Sequence, residues 1–193
     1  MKIKEQAASY LAKRKRYTYE EYLNLPDDCK RYEVINGELI MVAAPYTIHQ
    51  TVSGNLEYEL RTFVKNHKLG RIFDAPTDVV LDKTNVVQPD ILFIARDRLN
   101  IITEKNINGA PDLVIEILSS STAYYDLIEK KEIYEQFGVK EYWIVDPKKQ
   151  RVDVFQNIKQ RFELKQRLES KGFVESIIIK GFKISLEIIF SME

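Results

Sequence analysis

The sequence predicts an α/β (α+β) domain, a central mixed sheet flanked by helices, and three observations carry that reading. Two helical apolar stripes, from Ile48 to about Lys68 and from about Thr122 to Phe137, are separated by several strand-like runs. Glu141-Tyr142-Trp143-Ile144-Val145 comes directly after the second stripe and reads as a buried strand. The stretch from Pro111 to Ser119 reads as another, with one carboxylate, Glu116, where only apolar residues are expected.

Taken in order, residues 1–16 form a basic leader, and residues 17–193 read as one domain. Thr18 opens a short helix, because Thr18 and Glu21 make a capping-box pair, and Pro26 stops that helix. Tyr32–Ile35 and Glu38–Val42 flank Asn36-Gly37, the dipeptide suited to the positive φ angles of a type I′ hairpin turn. In the first long helix, Ile48, Val52, Leu56, Leu60, Phe63 and Val64 make the stripe and Gly70 is expected to end it. Strands are expected at Arg71–Ala75, Val79–Asp82 and Asp90–Ala95, then a loop from Asn100 to Ala110. Gly138 stops the second long helix, and Asp146-Pro147 ends the strand after it. Arg151–Phe155, Arg161–Leu164 and Phe173–Ile179 continue as strands, and Leu186–Phe190 as a last helical turn.

Composition bounds the function. A chain of 193 residues that is 45% hydrophobic supports one well-cored domain. No apolar run approaches the roughly 20 residues of a membrane span, the start of the chain lacks the apolar core of a secretory signal, and Cys29 stands alone. A soluble, cytoplasmic protein without disulfides or a cysteine zinc cage is expected. Twenty-nine basic residues balance twenty-nine acidic ones, so attraction to nucleic acid must come from local patches such as Lys13–Arg16.

Glu116 focuses the search for chemistry, because a buried carboxylate needs a cation, a metal or a hydrogen-bond network. Asp112 lies four residues away on the same strand, about 13 Å, too far to share a magnesium whose ligands sit about 2 Å from it. Asp90 opens a different strand, which can bring its carboxylate beside Glu116. On the second helix Lys130 falls in one arc with Asp126, Leu127, Ile133, Tyr134 and Phe137, and an ammonium centred on an apolar stripe asks for a buried anion. A snorkelling lysine paired with Asp126 is the ordinary alternative. Two carboxylates and a lysine are what metal-dependent phosphodiester hydrolysis requires: the carboxylates hold Mg²⁺, and the lysine stabilises phosphorane charge or activates water.

Val87-Gln88-Pro89-Asp90, Asp112 to Ser119, Asp126-x3-Lys130-x3-Tyr134 and Gly138 to Pro147, with Arg31 to Leu39 and His49 before them, resemble the Uma family of restriction endonucleases, within the PD-(D/E)XK nuclease superfamily. The resemblance covers roughly residues 18 to 190 and implies a restriction-endonuclease-like fold and a Mg²⁺-dependent endonuclease acting on DNA, with Mn²⁺ as a substitute metal. Asp90 and Glu116 would be the metal ligands and Lys130 the catalytic lysine. The superfamily's usual lysine position, two residues after the acid, holds Leu118, so the lysine must come from the helix. Glu33 is a candidate for a second metal or for orienting water, His49 for phosphate or a carboxylate, Asp126 for orienting Lys130 and Tyr134 for a hydrogen bond in the site. A cross-strand or surface pair at Glu33, capping or packing at His49, core packing at Tyr134, and a core position or subunit contact at Trp143 stay open. A homodimer suits cleavage of both strands. The competing reading is a catalytically inactive nuclease-fold module that binds nucleic acid or protein; a hydrolase of smaller phosphoesters is a third.

Overall fold

A computed structural model describes residues 15–119 and 128–192. Most of the leader, Asp126 and the start of the helix expected from Thr122 lie outside them. The first element among the described residues is α1 (Tyr19–Leu23), where Thr18 Oγ1 accepts from Glu21 N and Glu21 Oε2 accepts from Thr18 N, the reciprocal capping box expected of that pair. The hairpin of β1 (Arg31–Ile35) and β2 (Glu38–Val42) pairs Ile35 with Glu38 across a two-residue loop. Asn36 and Gly37 both take positive φ there, 52° and 79°, as a type I′ turn demands.

Helix α2 (Thr47–His67) buries Val52, Leu56, Leu60 and Val64, and His49 joins that buried face at its first turn. Lys68, not Gly70, ends it in the left-handed conformation, with φ 56°. Gly70 serves a different need: it starts β3 (Gly70–Asp74), where an added Cβ would lie 2.0 Å from the Ile94 carbonyl oxygen. Only glycine permits so close an approach of two strands.

The remaining elements are β4 (Val79–Asp82), β5 (Asn85–Val87), β6 (Ile91–Ala95), a 3₁₀ turn (Arg96–Ile101), β7 (Ile107–Asn108), β8 (Leu113–Ile117), α3 (Lys130–Phe137), β9 (Glu141–Asp146), β10 (Arg151–Asn157), β11 (Phe162–Glu169), β12 (Phe173–Glu175), β13 (Lys183–Ser185) and α4 (Leu186–Ile189). The expected central mixed sheet has six strands in the order β11-β10-β9-β8-β6-β3, and only β8 and β9 run parallel. That parallel step needs a crossover, and α3 lies within it. A second sheet, in the order β2-β1-β5-β4-β7, gathers the hairpin and the short strands.

The inner strands β6, β8 and β9 of the central sheet are buried on both faces, which explains their near-continuous apolar sequences. Leu113, Ile115, Ile117, Trp143 and Val145 pack on one face with the buried residues of α2 and with α4. Val114, Tyr142 and Ile144 pack on the other with Ile133 and Tyr134 of α3 and with Ile35, Val79 and Val87 of the second sheet. Strand alternation puts Glu116 on this second face, toward α3. The strand expected through Ile179 stops at Glu175, because the N–H groups of Ile177 and Ile178 both donate to Glu141 Oε2 at 2.9 Å instead of joining a ladder.

Candidate active site

The antiparallel pairing of β6 with β8 matches Ile91 to Ile115, so Asp90, just before β6, stands across from Glu116. Asp90 Oδ2 accepts from Ile117 N at 2.8 Å, which ties its carboxylate to the end of β8. Asp112 sits at the far end of the same strand and is a structural acceptor. It takes hydrogen bonds from Ala95 N (2.8 Å), Arg98 Nη1 (2.8 Å) and Lys140 Nζ (2.7 Å). Burial alone would raise its pKa; those donors outweigh it and hold the carboxyl below its usual range.

Lys130, the first residue of α3, is buried at 5% exposure and joins two strands of different sheets. Its Nζ lies 2.9 Å from Glu33 Oε1 on β1 and 3.2 Å from Glu116 Oε1 on β8. One turn later the Tyr134 hydroxyl donates to Glu116 Oε1 at 2.8 Å. Burial, with Glu116 and Glu33 as neighbouring anions, pushes the Tyr134 phenol far above its ordinary range, so it stays protonated and remains a donor. Glu33 Oε1 also accepts from Gln88 N at 2.6 Å, a bond that holds it toward Lys130. Lys130 is thus centred between two carboxylates, the arrangement that a buried ammonium requires.

His49 Nε2 lies 3.1 Å from Asp90 Oδ2, so both hydrogen bonds of the Asp90 carboxylate among the described residues fall on one oxygen. Among the described residues no group bonds Asp90 Oδ1, which can accept another ligand. Asp90, Glu116, Glu33, His49 and Lys130 line one cleft of about 150 Å³, several times the room a single water needs. Tyr134 stands behind Glu116, fully buried. Arg31, Gln88, Ser119, Glu57 and Asp74 also line the cleft and escaped the sequence reading. None breaks an apolar pattern; the one available signal was that Arg31 and Gln88 stand inside the motifs that resemble the nuclease family.

Among the described residues no three His, Cys, Asp or Glu side chains cluster at metal-binding distances. The donors present are carboxylate oxygens in a polar cleft, from Asp90 and Glu116. That set fits Mg²⁺, which takes one or two protein carboxylates and completes its shell with water and substrate phosphate. It does not fit a soft-ligand metal such as structural zinc.

A mixed six-stranded sheet flanked by helices, with α3 in its one parallel crossover, has the restriction-endonuclease-like α+β architecture. The family model described as "Uma2: Putative restriction endonuclease" matches residues 19–187, and the chain belongs to that family. A solved structure described as "a putative nuclease belonging to DUF820" from Anabaena variabilis has the same fold. It aligns with a TM-score of 0.74 at 23% identity, over 90% of this chain and 97% of that one. No curated protein matches the chain.

Proposed function

We propose that this protein is a Mg²⁺-dependent endonuclease that hydrolyses phosphodiester bonds of DNA. The observation that carries the reading is the convergence of Asp90, Glu116 and Lys130, from two strands and a helix, on one cleft. Asp90 and Glu116 would hold the ion, with Mn²⁺ as a substitute. Bound there, the ion supplies charge neutralisation at the scissile phosphate and lowers the pKa of the attacking water.

The chain's own groups do the rest. Lys130 places a fixed positive charge where negative charge develops in the transition state, inside a site already organised around it. Glu33 and Gln88 N keep that ammonium in place from one side, and Glu116 from the other. His49 and Ile117 N fix the rotamer of Asp90, and Tyr134 fixes that of Glu116. Moving the lysine from β8 to α3 preserves the charge at the carboxylates, so Leu118 in the usual lysine position does not by itself argue against catalysis. A two-fold dimer would present two such clefts to the two strands of a duplex.

The test is cleavage of plasmid and oligonucleotide DNA with Mg²⁺ or Mn²⁺. Asp90→Ala, Glu116→Ala and Lys130→Ala are each expected to slow it by about a thousandfold. Lys130→Arg, which keeps a cation between the carboxylates, guards against a variant that simply unfolds. A wild-type protein that cuts neither DNA nor RNA with either ion points instead to the binding module.

A further inference from the structure

We propose that Arg31 is a phosphate-gripping residue of this cleft, and that Gln88, Asp78 and Tyr22 form a relay that positions it. The inference rests on the nuclease reading and adds to it where the substrate backbone is held. Arg31 and Lys130 are the two cations among the described residues that line the cleft. Lys130 is committed to Glu33 and Glu116. Glu57 and Asp74, also in the lining, are paired with Arg61. Arg31 forms no ion pair with any described carboxylate, and its one side-chain hydrogen bond runs from Nε to Gln88 Oε1 at 3.0 Å. Both Nη groups of its guanidinium fork are left to donate, the arrangement that captures phosphate bidentately.

The fork does not point at random. Gln88 Nε2 donates to Asp78 Oδ1 at 2.8 Å and lies 3.3 Å from the Tyr22 hydroxyl, which itself donates to Asp78 Oδ1 at 2.8 Å. These contacts settle which end of the Gln88 amide is oxygen and turn it toward Arg31 Nε. Burial, then the Asp78 charge, pushes the Tyr22 phenol up, so it remains a donor in that relay. Gln88 also fixes Glu33 through its backbone N–H, so one residue aligns the arginine and, through Glu33, the lysine. Arg31 and Glu33 are two apart on β1 and share a face, about 7 Å along the strand. Arg31 therefore reaches a phosphate neighbouring the one at the carboxylates, not the scissile one.

The experiment is fluorescence anisotropy of a labelled DNA duplex titrated with wild type, Arg31→Ala, Arg31→Lys and Tyr22→Phe, with Ca²⁺ in place of Mg²⁺ to suppress cleavage, over a range of salt. Arg31→Ala is expected to weaken binding about tenfold and to lower the salt slope by about 0.9, one phosphate contact. Arg31→Lys should keep the slope and lose part of the affinity, and it replaces the alanine variant if that one fails to fold. Tyr22→Phe should keep the slope and weaken binding by about threefold. Wild-type binding with an unchanged slope and affinity in Arg31→Ala overturns the proposal and leaves the nuclease reading intact. Wild type that binds no DNA defeats the nuclease reading instead, and the arginine is then read by NMR. A shift of the Arg31 Nε–Hε resonance on titration with inorganic phosphate supports an anion-gripping arginine, and no shift overturns it.

Discussion

Two carboxylates are buried in the same pair of adjacent strands, and they are satisfied in opposite ways. Glu116, near the end of β8, faces α3, takes hydrogen bonds from Lys130 and Tyr134 on one oxygen, and lines a cleft. Glu141, at the start of β9, lies at the other end and on the other face of the sheet. Both its oxygens are enclosed: Trp143 Nε1 donates to Oε1 at 2.5 Å, while Ser176 Oγ (3.0 Å), Ile177 N and Ile178 N (2.9 Å each) donate to Oε2. No described cation is paired with it. The difference teaches that burial of a charge does not identify a functional site. Glu141 is a fastener that pins residues 176–178 to the sheet with neutral donors. Glu116 is balanced by a cation and opens onto space that a ligand can enter.

The comparison can be broken most forcefully at Glu116. Glu116→Ala is expected to lower metal-dependent cleavage by about a thousandfold at a smaller cost in stability, about 2 kcal/mol, because the buried Tyr134 hydroxyl loses its acceptor while Lys130 retains Glu33 as a partner. Glu141→Ala should do the reverse. Four donors lose their acceptor, for a loss of about 3–5 kcal/mol of stability in urea unfolding, with cleavage per folded molecule unchanged. Tyr134→Phe is milder, removing one hydroxyl bond to Glu116: about tenfold in cleavage rate and about 1 kcal/mol in stability.

The smallest effect is in the pH dependence of stability. Burial, only partly offset by its donors, raises the Glu141 carboxyl above its ordinary range. The folded protein then holds that proton more tightly than the unfolded chain, so this group's contribution is complete below the unfolded value and is lost as pH rises through the raised one. Asp112, whose carboxyl is lowered, behaves oppositely, and its contribution is lost only as pH falls through the lowered value. Urea midpoints from about pH 4 to about pH 7 should therefore decline less steeply in Glu141→Gln than in wild type. Equal slopes would mean that Glu141 is not held as described.

What could be read from the chain was whatever violated a pattern. Glu116 in an aliphatic run and Lys130 on an apolar stripe are anomalies that a sequence displays, and spacing alone favoured Asp90 over Asp112. Glu141 shows none, since it stands at a strand's first residue and three of its four partners lie 35 to 37 residues onward. Glu33 was visible as an acid beside a turn, but not as the partner that holds Lys130. Arg31 and Gln88 interrupt no apolar stripe, and only the fold brings them together. The strands β5, β7 and β13 were missed because two or three residues are too short for alternation to register. Gly70 reads as a helix stop, as a glycine after an apolar stripe usually is; its real constraint is the contact with the Ile94 carbonyl across the sheet.

Calorimetric titration with Mn²⁺ of the wild type, Asp90→Asn and Glu141→Gln tests most directly whether the cleft at Glu116, and not burial of charge as such, is the functional feature. A divalent ion should bind wild type and Glu141→Gln alike and fail to bind Asp90→Asn. Binding that survives in Asp90→Asn, or that is absent from the wild type, would contradict a metal-dependent site in this cleft.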